Sequence, residues 1–363
     1  MAVLILVFLT AFIVVLYSTP ALIKVAVLKR LIDVPSEDRK IHKGSVPTIG
    51  GIIIYAGTLF AYSLWYNIDE MEHYEAIFES VKEFKLIVAT SLILFFVGVK
   101  DDIIGTAPVK KLFAHIVVAL ILVLMGDIRI TGLHGIFGVY DIPYWGSVFV
   151  SIFTYVVVVN SINLIDGVDG LAAGIGLITS TSFGIWFIYA NDFPYAALSF
   201  ALAGSLMGFL IFNFSPAKIF MGDSGSLVIG VFVCILAIKM IEFPIQKLDH
   251  FWVNVSKPVF AIAALIYPLL DTLRVFITRA LKGQSPFNAD RNHLHHKLID
   301  CGYSHVKTVV IIYSFSVITI GASLLTYFFN QPTFGLITVV STSLVFLIFV
   351  ITLNTKAVKK NAE

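Results

Sequence analysis

Long apolar stretches separated by short polar ones dominate this chain. Runs of spanning character lie near 2–22, 49–66, 86–99, 112–126, 145–161, 171–190, 195–212, 227–241, 258–277, 308–328 and 334–353. A helix needs about 20 apolar residues to cross a bilayer core. The pattern therefore predicts an all-α polytopic integral membrane protein with about 11 transmembrane helices. No basic residue precedes the first run, whereas Lys24, Lys29 and Arg30 follow it. That is the reverse of a signal peptide, so a retained span with its N-terminus outside is expected.

The distribution of basic residues tests this alternation. With the N-terminus outside, 19 of the 25 Lys and Arg residues fall on inside segments or, for Arg274, at the inner end of a span. Only Lys82, Lys85, Arg129, Lys239, Lys247 and Lys257 fall outside. This is a strong positive-inside bias, and it places the C-terminus, with Lys356, Lys359 and Lys360, in the cytoplasm.

Composition narrows the class further. Of 363 residues, 58% are hydrophobic and 13% charged, with a mean hydropathy of +0.93. Soluble domains carry about twice that charge fraction, and disordered chains are polar and poor in aromatics, so both are excluded. The net charge of +2 says little about partners. Cys234 and Cys301 supply neither a disulfide framework nor a metal cluster. The expected organisation is a single transmembrane catalytic domain over 1–363. Its cytoplasmic loops lie near 23–48, 100–111, 160–170, 213–226 and 279–307.

Four polar groups interrupt the apolar pattern. They are Lys100-Asp101-Asp102, the Asn160–Gly170 segment with Asn163, Asp166 and Asp169, the stretch from Asn213 through Phe220 to Asp223, and Asp290–His296. An orientation derived from Lys and Arg alone puts all four on the cytoplasmic side. Five carboxylates converging there would repel one another and lose hydration, so cations must compensate. Oxygen ligands without cysteine suit Mg²⁺ or Mn²⁺. Arg279, Lys282, Arg291, His293, His295 and His296 can meet phosphate charge. The combination equips a membrane surface for phosphoryl transfer on a lipid.

Blander readings apply to single features. An isolated Asp-Asp pair at a helix end is ordinarily solvated surface. Gly222-Asp223-Ser224-Gly225-Ser226 lacks the second glycine and the strand–turn–helix setting of a serine-hydrolase elbow. His42, His115, His134, His250 and His305 read as structural or exposed, and Asp271 with Arg274 as a structural ion pair.

Together these residues make the chain resemble the polyprenyl-phosphate N-acetylhexosamine-1-phosphate transferase family. The likeness runs from Lys40-Ile41-His42-Lys43 and Pro47-Thr48-Ile49-Gly50-Gly51 through the histidine loop, with all signatures in order. It implies the reaction UDP-sugar + polyprenyl phosphate → polyprenyl-diphosphate-sugar + UMP, using Mg²⁺ at the cytoplasmic face of a bacterial inner membrane. Gly105 stands where the phospho-MurNAc-pentapeptide branch has Lys, and His293-Leu294-His295-His296 replaces its three consecutive histidines. The Ser285–His293 run resembles the GlcNAc-1-phosphate branch, which initiates O-antigen, common-antigen and teichoic-acid linkage units. UDP-GlcNAc and undecaprenyl phosphate are therefore the expected substrates, with phospho-MurNAc-pentapeptide, GalNAc and FucNAc donors as alternatives.

The resemblance also assigns roles. Asp223 is the expected Mg²⁺ ligand, with Asp101 and Asp102 at the metal and lipid-phosphate side. Asn160, Asn163, Asp166 and Asp169 are expected near the nucleotide, with Phe220 stacking on uracil and Asn213 beside it. Arg291, His293, His295 and His296 are expected on the diphosphate and sugar, and Lys43 on the nucleotide. The implied partners are the UDP-sugar, the polyprenyl phosphate and the bilayer. No nucleic-acid partner is expected, and a homodimer is compatible. A transporter of lipid-linked sugar is the rival class; it would place charges at mid-bilayer depth, whereas these acids sit at one end of their spans. The Asp-Gly-x-x-Ala-Arg signature of CDP-alcohol phosphotransferases is absent.

Overall fold

A computed structural model describes residues 1–29, 31–33, 46–66, 74–283, 293–329 and 331–362. Each of the eleven apolar runs is helical, so the all-α membrane class holds. Among the described residues, eight helices are long and apolar enough to cross a bilayer; a ninth candidate is the pair Lys257–Ala264 and Ile266–Leu281, bent by 72°. The remaining two runs depart from a simple span. Gly51–Leu64 has only 14 residues, short of the length a straight crossing takes. The run 86–99 is the middle of the 31-residue helix Tyr74–Ile104, which carries Lys85, Lys100, Asp101 and Asp102 near its ends.

The chain divides into two compact units: Met1–Arg129 with Ser151–Ile238, and Ile130–Val150 with Lys239–Glu363. The first contains α1 (Ala2–Leu28), the two-residue strands β1 (Ile32–Asp33) and β2 (Val46–Pro47), α2 (Gly51–Leu64), α3 (Tyr74–Ile104) and α4 (Pro108–Leu120). It continues with α5 (Tyr144–Leu164) from Ser151 onward, α6 (Leu171–Tyr189), α7 (Phe193–Asn213) and α8 (Asp223–Ile241). The strands pair antiparallel, Ile32 opposite Pro47.

Helix α8 is apolar on every side, and from Ser224 to Ile241 only Lys239 is not buried. A helix with no polar face belongs in a core, and α8 forms the core of this unit. Helix α7 packs against α1, α2 and α6. Lipid is as apolar as the helices, so their association depends on close backbone approach at small residues. Gly204 and Gly208, one turn apart on α7, provide it. A Cβ at Gly204 would lie 2.2 Å from the Phe8 carbonyl oxygen, and one at Gly208 would lie 2.8 Å from that of Phe12.

The second unit contains α9 (His250–Asn254), α10 (Lys257–Ala264), α11 (Ile266–Leu281), α12 (Leu294–Asp300), α13 (His305–Leu324), α14 (Thr326–Phe329) and α15 (Pro332–Ala362). Helix α13 packs on α10, α11, α12 and α15. The α10–α11 bend has a local cause: Pro268 has no N–H for the Ala264 carbonyl, and its ring crowds that carbonyl.

Gly204→Val is expected to lower the thermal midpoint of detergent-solubilised protein by the equivalent of about 1–3 kcal/mol, because the clash is with backbone. An unchanged melt would contradict the α1–α7 contact.

Candidate active site

The site in the first unit is made by helix ends. Helix α3 stops just after Lys100-Asp101-Asp102, where Gly105, at φ +74°, adopts the left-handed conformation that closes a helix. Its amide returns to the Asp101 carbonyl at 2.9 Å. Small residues bring this end against the start of α8. A Cβ at Gly98 would lie 2.4 Å from Ser224 Cα, and one at Gly51 would lie 2.0 Å from the Gly225 nitrogen. Gly222, at φ +72°, leaves no room for a side chain, since a Cβ would meet the Thr48 carbonyl oxygen at 2.2 Å and the Asp102 carboxylate at 2.6 Å.

This close approach places the Asp102 carboxylate on the first turn of α8. Its Oδ1 accepts the Asp223 amide at 2.7 Å, and its Oδ2 accepts the Ser224 amide at 3.1 Å. A carboxylate there satisfies amides that have no partner within the helix and complements the positive end of the helix dipole. Asp102, expected as a metal ligand, thus has both oxygens engaged as a helix cap.

Asp101 and Asp223 share a different partner. Lys111, at the start of α4, donates from Nζ to Asp101 Oδ2 at 3.1 Å and to Asp223 Oδ2 at 2.7 Å. Asn163 donates from Nδ2 to the other Asp223 oxygen at 2.9 Å and to Ser226 Oγ at 2.8 Å. Asn160 lies one turn earlier on α5, partly exposed. Asp166 and Asp169 lie in the α5–α6 turn.

Several expected substrate contacts hold the loops together. Asp169 Oδ2 accepts the Ala217 amide at 3.1 Å. Buried Asn213 accepts the Gly170 amide at 3.1 Å and donates to the Ile219 carbonyl at 2.9 Å. Phe220 is anchored through its backbone: its amide donates to the Pro47 carbonyl at 2.7 Å, and its carbonyl accepts from Gly50 at 3.0 Å. Its side chain keeps partial exposure beside Asp223 in the chain.

The carboxyls report the electrostatic state of the site. Burial pushes Asp102 up to about 6, although the Asp223 and Ser224 amides hold it down. Burial and then the charge of Asp223 raise Asp101, despite Lys111. Asp166 is raised well above the usual range, again by burial first and then by Asp223 and Asp102. Negative charge here exceeds what one lysine balances. No group of three or more His, Cys, Asp or Glu forms a metal cluster among the described residues. Asp101 and Asp223 offer the one or two carboxylates that Mg²⁺ takes beside water and substrate phosphate. Asp101 and Asp223, already gathered on one cationic nitrogen, are the pair that would hold it.

The fourth polar group lies in the second unit, around a residue read from the sequence as half of a structural ion pair. Asp271 of α11 does face Arg274, at 3.5 Å. It also binds His293 Nδ1 at 2.9 Å and accepts the Leu294 amide at 2.8 Å, so it caps α12 and orients the histidines. His295 Nδ1 lies 3.3 Å from the Tyr267 hydroxyl. The His295 ring is 4.4 Å from that of His296. Burial lowers His295 to about 3, so its ring is neutral at ordinary pH. Lys43 and Arg291 fall outside the described residues.

Sequence reading missed Lys111 and the anchoring role of Asp271. Lys111 is one of three lysines between 100 and 111 and carries no signature of its own. The polar break at Asp271 inside an apolar run was the available clue to the other.

The fold and site define a class: a predominantly helical membrane protein with carboxylates, an amide and a lysine gathered at helix ends. Residues 84–241 match glycosyl transferase family 4. The chain is 32% identical to a decaprenyl-phosphate N-acetylglucosaminephosphotransferase of Mycobacterium leprae, over 82% of this chain and 77% of that relative. The enzyme of the same name from Mycolicibacterium smegmatis is 31% identical, over 88% and 81%. An undecaprenyl-phosphate alpha-N-acetylglucosaminyl 1-phosphate transferase of Escherichia coli K12 is 26% identical, over 80% and 74%. This chain belongs to glycosyl transferase family 4 and is a glycosyl-1-phosphate transferase, in the GlcNAc-1-phosphate branch that the histidine-loop sequence indicated.

Two expectations follow from the geometry. Lys111→Met should destabilise the protein by about 2 kcal/mol in EDTA, because two partly buried carboxylates lose their counter-charge, while Lys111→Arg should retain most of it; equal melts for all three would refute the bridge. The second concerns pH. His295 titrates near 3 when folded and near 6.5 when unfolded. The unfolded chain therefore binds the extra proton between those values, and this contribution to stability is lost as pH falls from 6.5 toward 3. The thermal midpoint of His295→Gln should fall less steeply over that window than that of the unaltered protein.

Proposed function

We propose that this enzyme transfers N-acetylglucosamine 1-phosphate from UDP-N-acetylglucosamine to undecaprenyl phosphate, releasing UMP and starting a cell-surface glycan. The observation that carries this reading is the Asp101–Lys111–Asp223 arrangement, with Asn163 on the remaining Asp223 oxygen. The names of the relatives support the sugar and the polyprenyl acceptor. The basic-residue bias supports a site that opens to the cytoplasm from a bacterial inner membrane. A homodimer is compatible with this reading.

In the proposed reaction, an oxygen of the lipid phosphate attacks the sugar-bearing β-phosphorus of the donor. A new P–O bond forms to the lipid phosphate as the bond to the UMP oxygen breaks. Mg²⁺ held by Asp101 and Asp223 would neutralise diphosphate charge. Lys111 adds a second cation at the same carboxylates, and Asn163 fixes the Asp223 carboxylate. A phosphate monoester with a second pKa of about 6 is already mostly dianionic at pH 7, so Asp101 contributes more by position than as a base. Phe220 offers an aromatic face for uracil. His293, His295, His296 and Arg291 serve the diphosphate and sugar. The rival scheme, a covalent phosphosugar on an aspartate, is weakened for Asp102 because both of its oxygens are engaged by amides.

The test is purified enzyme incubated with Mg²⁺, undecaprenyl phosphate and a panel of UDP-sugars, with lipid products identified by mass. UDP-N-acetylglucosamine should be used, EDTA should abolish turnover, and Asp223→Asn should lose at least about 100-fold in rate, the scale of losing a charge-stabilising group, while melting normally. Wild-type turnover by Asp223→Asn would overturn the assignment. Release of UMP without lipid would favour the covalent scheme.

A further inference from the structure

The second unit holds a cavity of about 170 Å³ whose walls include His134, Leu248, Trp252, Ser256, Lys257 and Pro332. None of these residues has a part in the reaction above. Lys257 lies only about 14 residues before Asp271, roughly 20 Å along α10 and α11 at 1.5 Å per residue, so this is a separate place from the histidine cluster.

Lys257 is 5% exposed. Its Nζ donates to the Phe243 carbonyl, which uses one of three N–H groups. Glu242 acts on Lys257 through its charge, but its hydrogen bonds go elsewhere: it accepts the Thr131 amide at 2.9 Å, takes the Thr131 hydroxyl, and pairs with His134 Nε2 at 3.1 Å. The adjacent Ser256 hydroxyl is buried without a hydrogen-bond partner, and its backbone amide donates to Thr326 Oγ1 at 3.2 Å. A buried ammonium with spare donors and a buried hydroxyl beside it are costly unless an acceptor meets both. Their position at the start of α10, the positive end of a helix dipole, favours an anion.

The surroundings identify the anion's carrier. The cavity is smaller than the pockets that hold drug-sized molecules, about 300–1,000 Å³, so it suits a headgroup rather than a sugar nucleotide. Its walls are mixed, with Leu248, Trp252 and Val255 apolar and His134, Asn254 and Gln331 polar. Beside it, Phe251 stacks on Tyr327 with centroids 5.1 Å apart, and Phe251 and Phe328 are exposed. Exposed aromatics of this kind mark a bilayer interface, where acyl chains can run along apolar surface while a phosphate enters the cavity. We infer that this cavity binds the phosphate headgroup of a membrane lipid, with Lys257 and Ser256 holding phosphate oxygens. The inference stands independently of the donor and acceptor proposed above.

Native mass spectrometry of the full chain in dodecyl maltoside tests it, with phosphatidylglycerol, diacylglycerol and inorganic phosphate as probes. One phosphatidylglycerol should bind saturably per chain, diacylglycerol at least tenfold more weakly. Lys257→Met should lose at least tenfold in phosphatidylglycerol affinity, Lys257→Arg should retain it, and transferase turnover should be unchanged in both. Ser256→Ala, which keeps the Lys257–Phe243 bond, should weaken binding severalfold and decides the matter if Lys257→Met fails to fold. Equal phosphatidylglycerol binding by folded Lys257→Met and the unaltered protein, or equal binding of diacylglycerol, would overturn the site. Inorganic phosphate binding as tightly as the phospholipid would assign the cavity to the free anion and overturn the lipid reading.

Discussion

Four carboxylates crowd the first turn of a helix that is otherwise apolar on every side, and the first unit is organised around making that tolerable. The buried length of α8 requires an apolar sequence, while its N-terminus exposes unpaired amides and a positive dipole end. Asp102 answers the amides, and Lys111 answers Asp101 and Asp223. What remains are buried acids, and burial first and their neighbours' charge second raise the Asp101, Asp102 and Asp166 carboxyls. In the proposed reaction, a divalent cation and a polyphosphate would complete such a site together.

Precision in this site comes from glycine packing as much as from polar groups. The backbone contacts at Gly51 and Gly98 let α2 and α3 approach the start of α8 closely enough for a short aspartate to reach its amides. A longer reach through a glutamate would add a rotatable bond and side-chain entropy to the cap. The same economy appears in the second unit, where Asp271 holds a histidine ring and a helix amide with its two oxygens.

The neutral state of His295 bears on the division of labour among the histidines. A buried neutral ring cannot offer a full charge to phosphate, but it can orient its neighbours and donate or accept a single hydrogen bond. His296, less buried and in ring contact with both other histidines, is the member of the cluster with the freest approach from outside.

Much of this was legible in the linear chain. Apolar periodicity and length determined the helices, because a lipid-facing segment must be continuous and apolar. Clusters such as Lys100-Asp101-Asp102 and Asn163–Asp169 were conspicuous, because charge beside a membrane span is costly and rarely idle. The family was readable from the same clusters and their order. Tertiary structure decided which member of each cluster does what. Lys111 meets Asp223 across 112 positions, and Asp102 reaches the α8 amides across 121 and 122; no local pattern encodes such pairings. Asp101 and Asp102 are chemically identical neighbours, yet one caps a helix and the other faces a cation. The reason is geometric: adjacent residues on α3 point about 100° apart, and only packing determines which direction meets α8.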